Sequence, residues 1–257
     1  MSPVSAEAVA ALRVRTGVSI LACKQALEEA GGDEEKAIEI LRKRGIAQAV
    51  KKSEREQSEG ALFIANTDRK AVIVGLKCET DFVSRSPDFV ALGSALAQTA
   101  LTGGKAGLDL EAASVLPQAV QKLGENISLG EFQEVDAPVI GTYVHSNRKI
   151  AVVIGTDKGT SEQAKDVSMH AAAMNPLYVT PEHIPADTVE KERDIWKEQM
   201  KNEKKPPEIL EKIMLGKERK FREENSLIKQ AFVKDSSKTI EQYLGGATVT
   251  AYVRVAI

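Results

Sequence analysis

Aromatic side chains, cysteines, long apolar runs and an excess of charge of either sign are all in short supply in this chain. Phe, Trp and Tyr make up 4% of its 257 residues, which leaves few platforms for stacking nucleic-acid bases. Its two cysteines, Cys23 and Cys78, lie far apart without metal-ligand spacing. That argues against a disulfide scaffold, fits a reducing compartment, and reads both as small buried apolar residues. No apolar stretch approaches the ~20 residues that span a bilayer. The opening segment MSPVSAEAVAALRVR lacks the apolar core of a signal peptide, so a cytoplasmic location and no membrane partner are expected. With 35 Lys and Arg against 37 Asp and Glu, the net charge is −2. Such a chain has no global field to attract phosphate polyanions, and nucleic acid would need a local patch. The default partner is a protein or a small molecule.

Catalytic signatures are missing too. There is no GxxxxGK[ST] loop to cradle phosphates, no GxGxxG after a strand, no HExxH and no GxSxG elbow. The three histidines, His145, His170 and His183, have neither metal spacing nor cysteine partners. No metal, no cofactor and no enzymatic activity are expected, although a catalytic site without a familiar motif stays open as an alternative. His170, in VSMHAAAMNP, reads as a structural residue of a helix. His145 falls at the expected tip of a hairpin, where contact with a partner competes with simple exposure.

What is present is organised by period and punctuation. Ser5 can cap a helix reaching Arg15, Ser19 one ending near Ala30, and Asp33 one closing before Gly45, with glycines after each. Apolar residues at helical spacing, Val9 with Leu12, Leu21 with Leu27 and Ile38 with Leu41, make residues 1–50 a three-helix module. Residues 51–60, KKSEREQSEG, hold no large apolar side chain and read as a solvated linker. Beyond it the period changes to two. ALFIANTDRKAVIVGLKC and VIGTYVHSNRKIAVVIGT each read as a hairpin, and their Arg-Lys pairs, Arg69-Lys70 and Arg148-Lys149, lie 79 residues apart. Each hairpin precedes a helix pattern, Ser86 to Leu101 and Ser161 to Met174, which suggests a duplicated ββα unit in an α+β fold. Residues 109–128 read as largely helical. From 186 to 225 the chain is strongly charged and divided by Pro206-Pro207. Val189, Trp196 and Met200 on one half and Leu210, Met214 and Phe221 on the other predict an antiparallel helical hairpin, an arm inserted in the second unit. The closing run TVTAYVRVAI reads as a strand that completes an earlier sheet.

One stretch poses a question that periodicity does not answer. In KCETDFVSRSPDF, residues 77–89, Phe82 follows Asp81 at a turn between a strand and a helix. The ring either packs back into its own core or stands ready to enter another protein.

RTGVSILACKQAL, CETDFVSR, KLGENISL and FVKDSSKTI, spread along nearly the whole chain, resemble bacterial elongation factor Ts, the family of nucleotide-exchange factors for the translational GTPase elongation factor Tu. The resemblance implies a ubiquitin-associated-like module at 1–50. It further implies a core subdomain at 61–137, a second at 138–185 with 226–257, and a coiled-coil arm at 186–225. It also implies that Asp81 and Phe82 push against the GTPase near its nucleotide and magnesium site. Ile20, Leu21 and Lys24 match positions that dock on the G domain, Arg13 and Lys52 match basic contacts around that module, and Gly124 lies in the GEN stretch. His145, Val233 and Lys234 match the surface that meets the partner's third domain. Ile20-Leu21-Ala22 replaces a Met-Met-Asp common in the family, which loses a carboxylate at Ala22. Many relatives continue past the last strand into a helical module, and with Ile257 the last residue that contact is expected to be absent. No direct nucleotide binding is expected; a homodimer through the arm is an open possibility. A nucleic-acid binder and a GTPase-binding adaptor that leaves nucleotide release unchanged are the alternative readings.

Overall fold

Three capped helices open the chain. In this computed structural model, which describes residues 4–201 and 206–257, α1 (Ala6–Thr16), α2 (Ile20–Glu29) and α3 (Glu34–Lys52) begin at Ser5, Ser19 and Asp33, whose side chains accept the backbone N–H of Ala8, Ala22 and Lys36. These bonds satisfy donors that a helix start leaves unpaired. Val9, Leu12, Val18, Cys23, Ala26, Leu27, Ala37 and Leu41 form a small core between the helices. Leu21 does not share it with Leu27. Six positions apart on a helix, the two point in different directions, and Leu21 is 64% exposed. The third helix also runs on past Gly45 to Lys52. Gly45 is a contact rather than a stop: a side chain there would press on the carbonyl oxygen of Pro117 and on Gln121, so its absence lets α3 lie close against a later helix.

The longer strands form two three-stranded antiparallel sheets. In the first, β1 (Glu59–Asn66), β2 (Lys70–Cys78) and β3 (Ser128–Asp136) lie in that order. In the second, β4 (Val139–Val144) and β5 (Ile150–Thr156) form a hairpin, and the last strand, β8 (Val249–Ala256), pairs with β5. Strand alternation sorts the side chains to two faces. Val72, Val74 and Leu76 of β2 face α5 (Pro87–Leu123), whereas Ala71 and Ile73 face the other sheet. Val152 and Ile154 of β5 face α6 (Ser161–Met174), and Ala151 and Val153 face the first sheet. The result is a helix–sheet–sheet–helix sandwich with three apolar layers.

The turns of the two hairpins cross-link the sheets. Leu62 N–H donates to the Arg148 carbonyl at 2.8 Å and Ile140 N–H to that of Asp68 at 3.2 Å. The facing pattern corrects the spacing of 79 residues between the units. That spacing places Val72 on Ala151, yet Val72 faces a helix and Ala151 faces a sheet. The second turn, between Val144 and Ala151, is two residues longer than the first, between Asn66 and Ala71. Ala71 and Ala151 share one kind of face, and Val72 and Val152 the other, and a slip of one residue exchanges the faces.

Other boundaries differ as well. The two helices expected at 86–101 and 109–128 are both present within α5, which consists of two helices meeting at a non-helical Gly104 (φ 60, ψ −160), and the second ends earlier than expected, at Leu123. Residues 128–136 form strand β3, where no element is expected beyond Ser128, the last residue of the stretch read as largely helical. Lys51 and Lys52 belong to α3, and Glu59 and Gly60 to β1. Between α6 and β8 lie the arm helices α7 (Ala186–Met200) and α8 (Pro207–Glu224), the short strands β6 (Ala231–Phe232) and β7 (Asp235–Thr239), and helix α9 (Ile240–Leu244). Trp196 meets Phe221 edge-on at 5.8 Å across the arm, and Arg193 pairs with Glu218 at 3.1 Å. The arm's connecting residues 202–205 and the first three residues of the opening segment lie outside the described residues. No helix among the described residues is long and apolar enough to cross a membrane.

Candidate functional site

Phe82 stands in solvent, 84% exposed, on α4 (Asp81–Ser84), a single turn at the end of β2. Of the two sequence alternatives, the structure shows the outward one. Thr80 caps this turn by accepting the Val83 N–H, Ser84 is buried beneath it, and Val83 packs on the first core. Asp81 pairs with Arg85 at 3.1 Å. The ring is therefore presented by a short turn whose underside is fixed.

The base of this prong is a hydrogen-bond network between three segments. The Glu125 carboxylate accepts the N–H groups of Glu79 and Thr80, each at 3.0 Å, and the Thr80 hydroxyl at 2.5 Å. Glu79 reciprocates by accepting the Asn126 N–H at 2.7 Å. Asn126 Nδ2 donates to the carbonyls of Ser53 and Arg55, and Lys52 Nζ donates to that of Gly124 at 2.5 Å. Gly124 itself sits at φ 81, the left-handed end of α5. Residues 53–57, exposed as a linker, are thus pinned to the core. Cys78 lies under the network with its thiol donating to the Thr80 carbonyl. Burial first, and Glu125 second, push that thiol up to about 11, so it stays protonated and inert.

Arg13, Ile20 and Lys24 gather on the outer face of α1 and α2, where with Val4, Ala6, Val9 and Ala10 they line an open, largely apolar cavity of about 450 Å³. Ile20 is 57% exposed, and the neighbouring Leu21 adds to this apolar surface.

His145 and the Val233–Lys234 pair occupy separate turns of the second half. His145 is exposed beyond the end of β4, with Nδ1 3.0 Å from the Tyr143 hydroxyl. Val233 is 47% exposed, and its N–H donates to Nδ1 of buried His170 at 3.3 Å. That bond places the imidazole proton on Nε2, which donates to Gln230 Oε1 at 2.8 Å. Burial lowers the His170 pKa, with Gln230 opposing. Lys234 pairs with Asp166 at 2.6 Å, and Asp166 also accepts the Tyr243 hydroxyl.

The named side chains therefore form three groups: the prong with Lys52 and Gly124 at its base, the cavity on the first two helices, and the two turns of the second half. Sequence reasoning missed Glu125 and Asn126 as supports of the prong. Their signal, two polar residues after a helix-ending glycine, has no local partner to reveal it. It also missed that His170 holds the Val233 turn. Among the described residues no three His, Cys, Asp or Glu side chains converge as a metal would require.

Comparison with known proteins is consistent along the chain. A family model described as "Elongation factor TS" matches residues 79–257. The protein named elongation factor Ts from Deinococcus deserti is 41% identical over 260 residues, covering 98% of this chain and 98% of that protein. Its namesake from Christiangramia forsetii is 38% identical over the full length of both. The one from Aeromonas hydrophila is 41% identical over all of this chain and 92% of its own. With a family model over more than half its length and relatives matched end to end, the chain belongs to the elongation factor Ts family.

Proposed function

We propose that this chain is a guanine-nucleotide exchange factor of translation elongation: it binds elongation factor Tu in its GDP form, promotes GDP release and lets GTP rebind. In this reading it works in the cytoplasm, catalyses no chemical reaction, needs no cofactor, contacts no nucleotide directly and has neither nucleic acid nor membrane as a partner. The three N-terminal helices act as a ubiquitin-associated-like docking module, the sandwich as two related subdomains, and the arm as a coiled coil that offers a route to a homodimer. The family relatives support the role. The observation that carries the mechanism is the outward Phe82, a large ring left in water at the end of a well-supported turn.

An exchange factor needs greater affinity for the empty GTPase than for the filled one, and linkage then requires it to weaken nucleotide binding by the same factor. Arg13, Ile20, Leu21, Lys24 and Lys52 on one side, and His145, Val233 and Lys234 on the other, serve as separate anchors, with Gly124 beside the prong base. Their combined attachment holds Asp81 and Phe82 against the nucleotide and magnesium site. Burying a phenylalanine contributes ~1.5–3 kcal/mol, and each ~1.4 kcal/mol of coupling is a tenfold change in affinity.

The test is release of a fluorescent GDP from elongation factor Tu. Phe82→Ala is expected to lower the saturating release rate about tenfold while half-saturation moves little. Undiminished stimulation by that variant removes the prong from the mechanism. Binding without any acceleration by the wild-type chain makes it an adaptor instead.

A further inference from the structure

Resting on the exchange reading above, we infer that Glu125 is a positioning residue for the Phe82 prong, acting through Thr80 from the far end of α5 without itself touching the GTPase. A four-residue helix cannot hold its own shape, because the first turn fixes several dihedral angles for very few hydrogen bonds. Phe82 is exposed and adds no packing of its own. What remains is the cap and the underside. Thr80 has one hydroxyl proton, and donating it to Glu125 at 2.5 Å leaves a lone pair free to accept the Val83 N–H at 3.4 Å. The other Glu125 oxygen accepts two successive backbone N–H groups, those of Glu79 and Thr80. One carboxylate thus sets the cap rotamer and the chain direction immediately before Asp81.

The clamp reaches further than the turn. Glu79 returns a bond to the Asn126 N–H. Gly124 and Asn126, on either side of Glu125, are bonded to Lys52 and to the carbonyls of Ser53 and Arg55. The end of α3 and the prong therefore hang from the same three residues. A load taken up by the N-terminal helices is passed to Phe82 through this loop rather than lost in a slack connection.

The experiment compares Glu125→Ala, Phe82→Ala and the double variant in stimulated GDP release. Hydrogen bonds to a charged acceptor are strong enough that losing them is expected to lower the saturating rate of Glu125→Ala about tenfold. Half-saturation should stay within about twofold, since the anchors are untouched. Glu125→Gln, whose amide oxygen can still accept the paired N–H groups, is expected to recover most of the rate. Because both changes act on one device, the double variant should be no slower than Phe82→Ala alone, whereas a general loss of structure would multiply the two effects. A full saturating rate for Glu125→Ala beside an impaired Phe82→Ala overturns this inference and leaves the prong standing. Multiplied effects in the double variant do the same. A full rate for Phe82→Ala overturns the prong and the inference with it. Should Glu125→Ala fail to fold, Thr80→Val, which removes the hydroxyl between carboxylate and cap, carries the same prediction with a loss of about threefold.

Discussion

Single residues decide how this chain presents itself, and several do so through what they lack or withhold. Gly141 faces the backbone of Ala164 and Gly93 lies under the ring of Phe63, so each helix can approach its sheet only where no side chain intervenes. His170 withholds a charge. With Nδ1 accepting from Val233 and burial lowering its pKa, it is neutral in the fold and cannot take a second proton without losing that acceptor. Its folded-state pKa lies below the ordinary value of ~6.5, so its stabilising contribution is complete above that pH. It declines below it and is lost as pH falls through the folded-state value. Urea unfolding of the wild type and of His170→Asn from pH 7.5 to 5 should show the wild type's advantage shrinking with acidity; a constant difference would mean that His170 does not titrate. None of this was visible from VSMHAAAMNP, where a helix position predicts burial but not the distant turn that the ring supports. Phe82 marks the limit from the other side: its sequence allowed both inward and outward placement, because a residue at a turn has no period to obey.

At the scale of elements, helices were the legible part wherever caps and periods agreed. Helix α6 spans Ser161–Met174, the range its pattern predicts, and α7 and α8 fall on either side of Pro206. Strand β3 was missed for a definite reason. Gly130 and Glu131 together oppose Gly75, since Leu129 pairs with Leu76 and Phe132 with Val74. This bulge puts one extra residue between Leu129 and Phe132, both packed on the same core. Leu129, Phe132 and Val135 then recur every three residues and imitate a helix. The arm makes a separate prediction. Trp196 is the chain's one tryptophan and is packed on Phe221, so Trp196→Ala is expected to cost the arm about 3 kcal/mol. Amide exchange should accelerate across 186–200 and 207–224 while the β5 amides keep their protection. Faster exchange in β5 as well would show that arm and sandwich unfold together.

For the whole molecule, the two sheets stack so that each hairpin's turn is bonded to the other unit, and this arrangement ties the proposed anchors and the proposed prong into one frame. A division of labour between them is testable. Ile20 and Leu21 are more than half exposed, so replacing both with alanine should disturb the fold little. The expected outcome is a half-saturation concentration for GDP release raised about tenfold with the saturating rate within about twofold, the reverse of Phe82→Ala. A fall in the saturating rate with unchanged half-saturation would sink the division. The alignment of the two Arg-Lys pairs is off by one residue in facing, because those pairs sit in turns of different length, where side chains obey no alternation. The order of the strands has a consequence for biosynthesis. Strand β5 ends at Thr156 and its neighbour β8 begins at Val249, so a ribosome adding ~5–20 residues per second leaves the valine-rich border of β5 uncovered for roughly five to twenty seconds. During that interval the nascent chain carries an unpaired sheet margin of the kind chaperones shield, and it is sealed only when β8 has been translated.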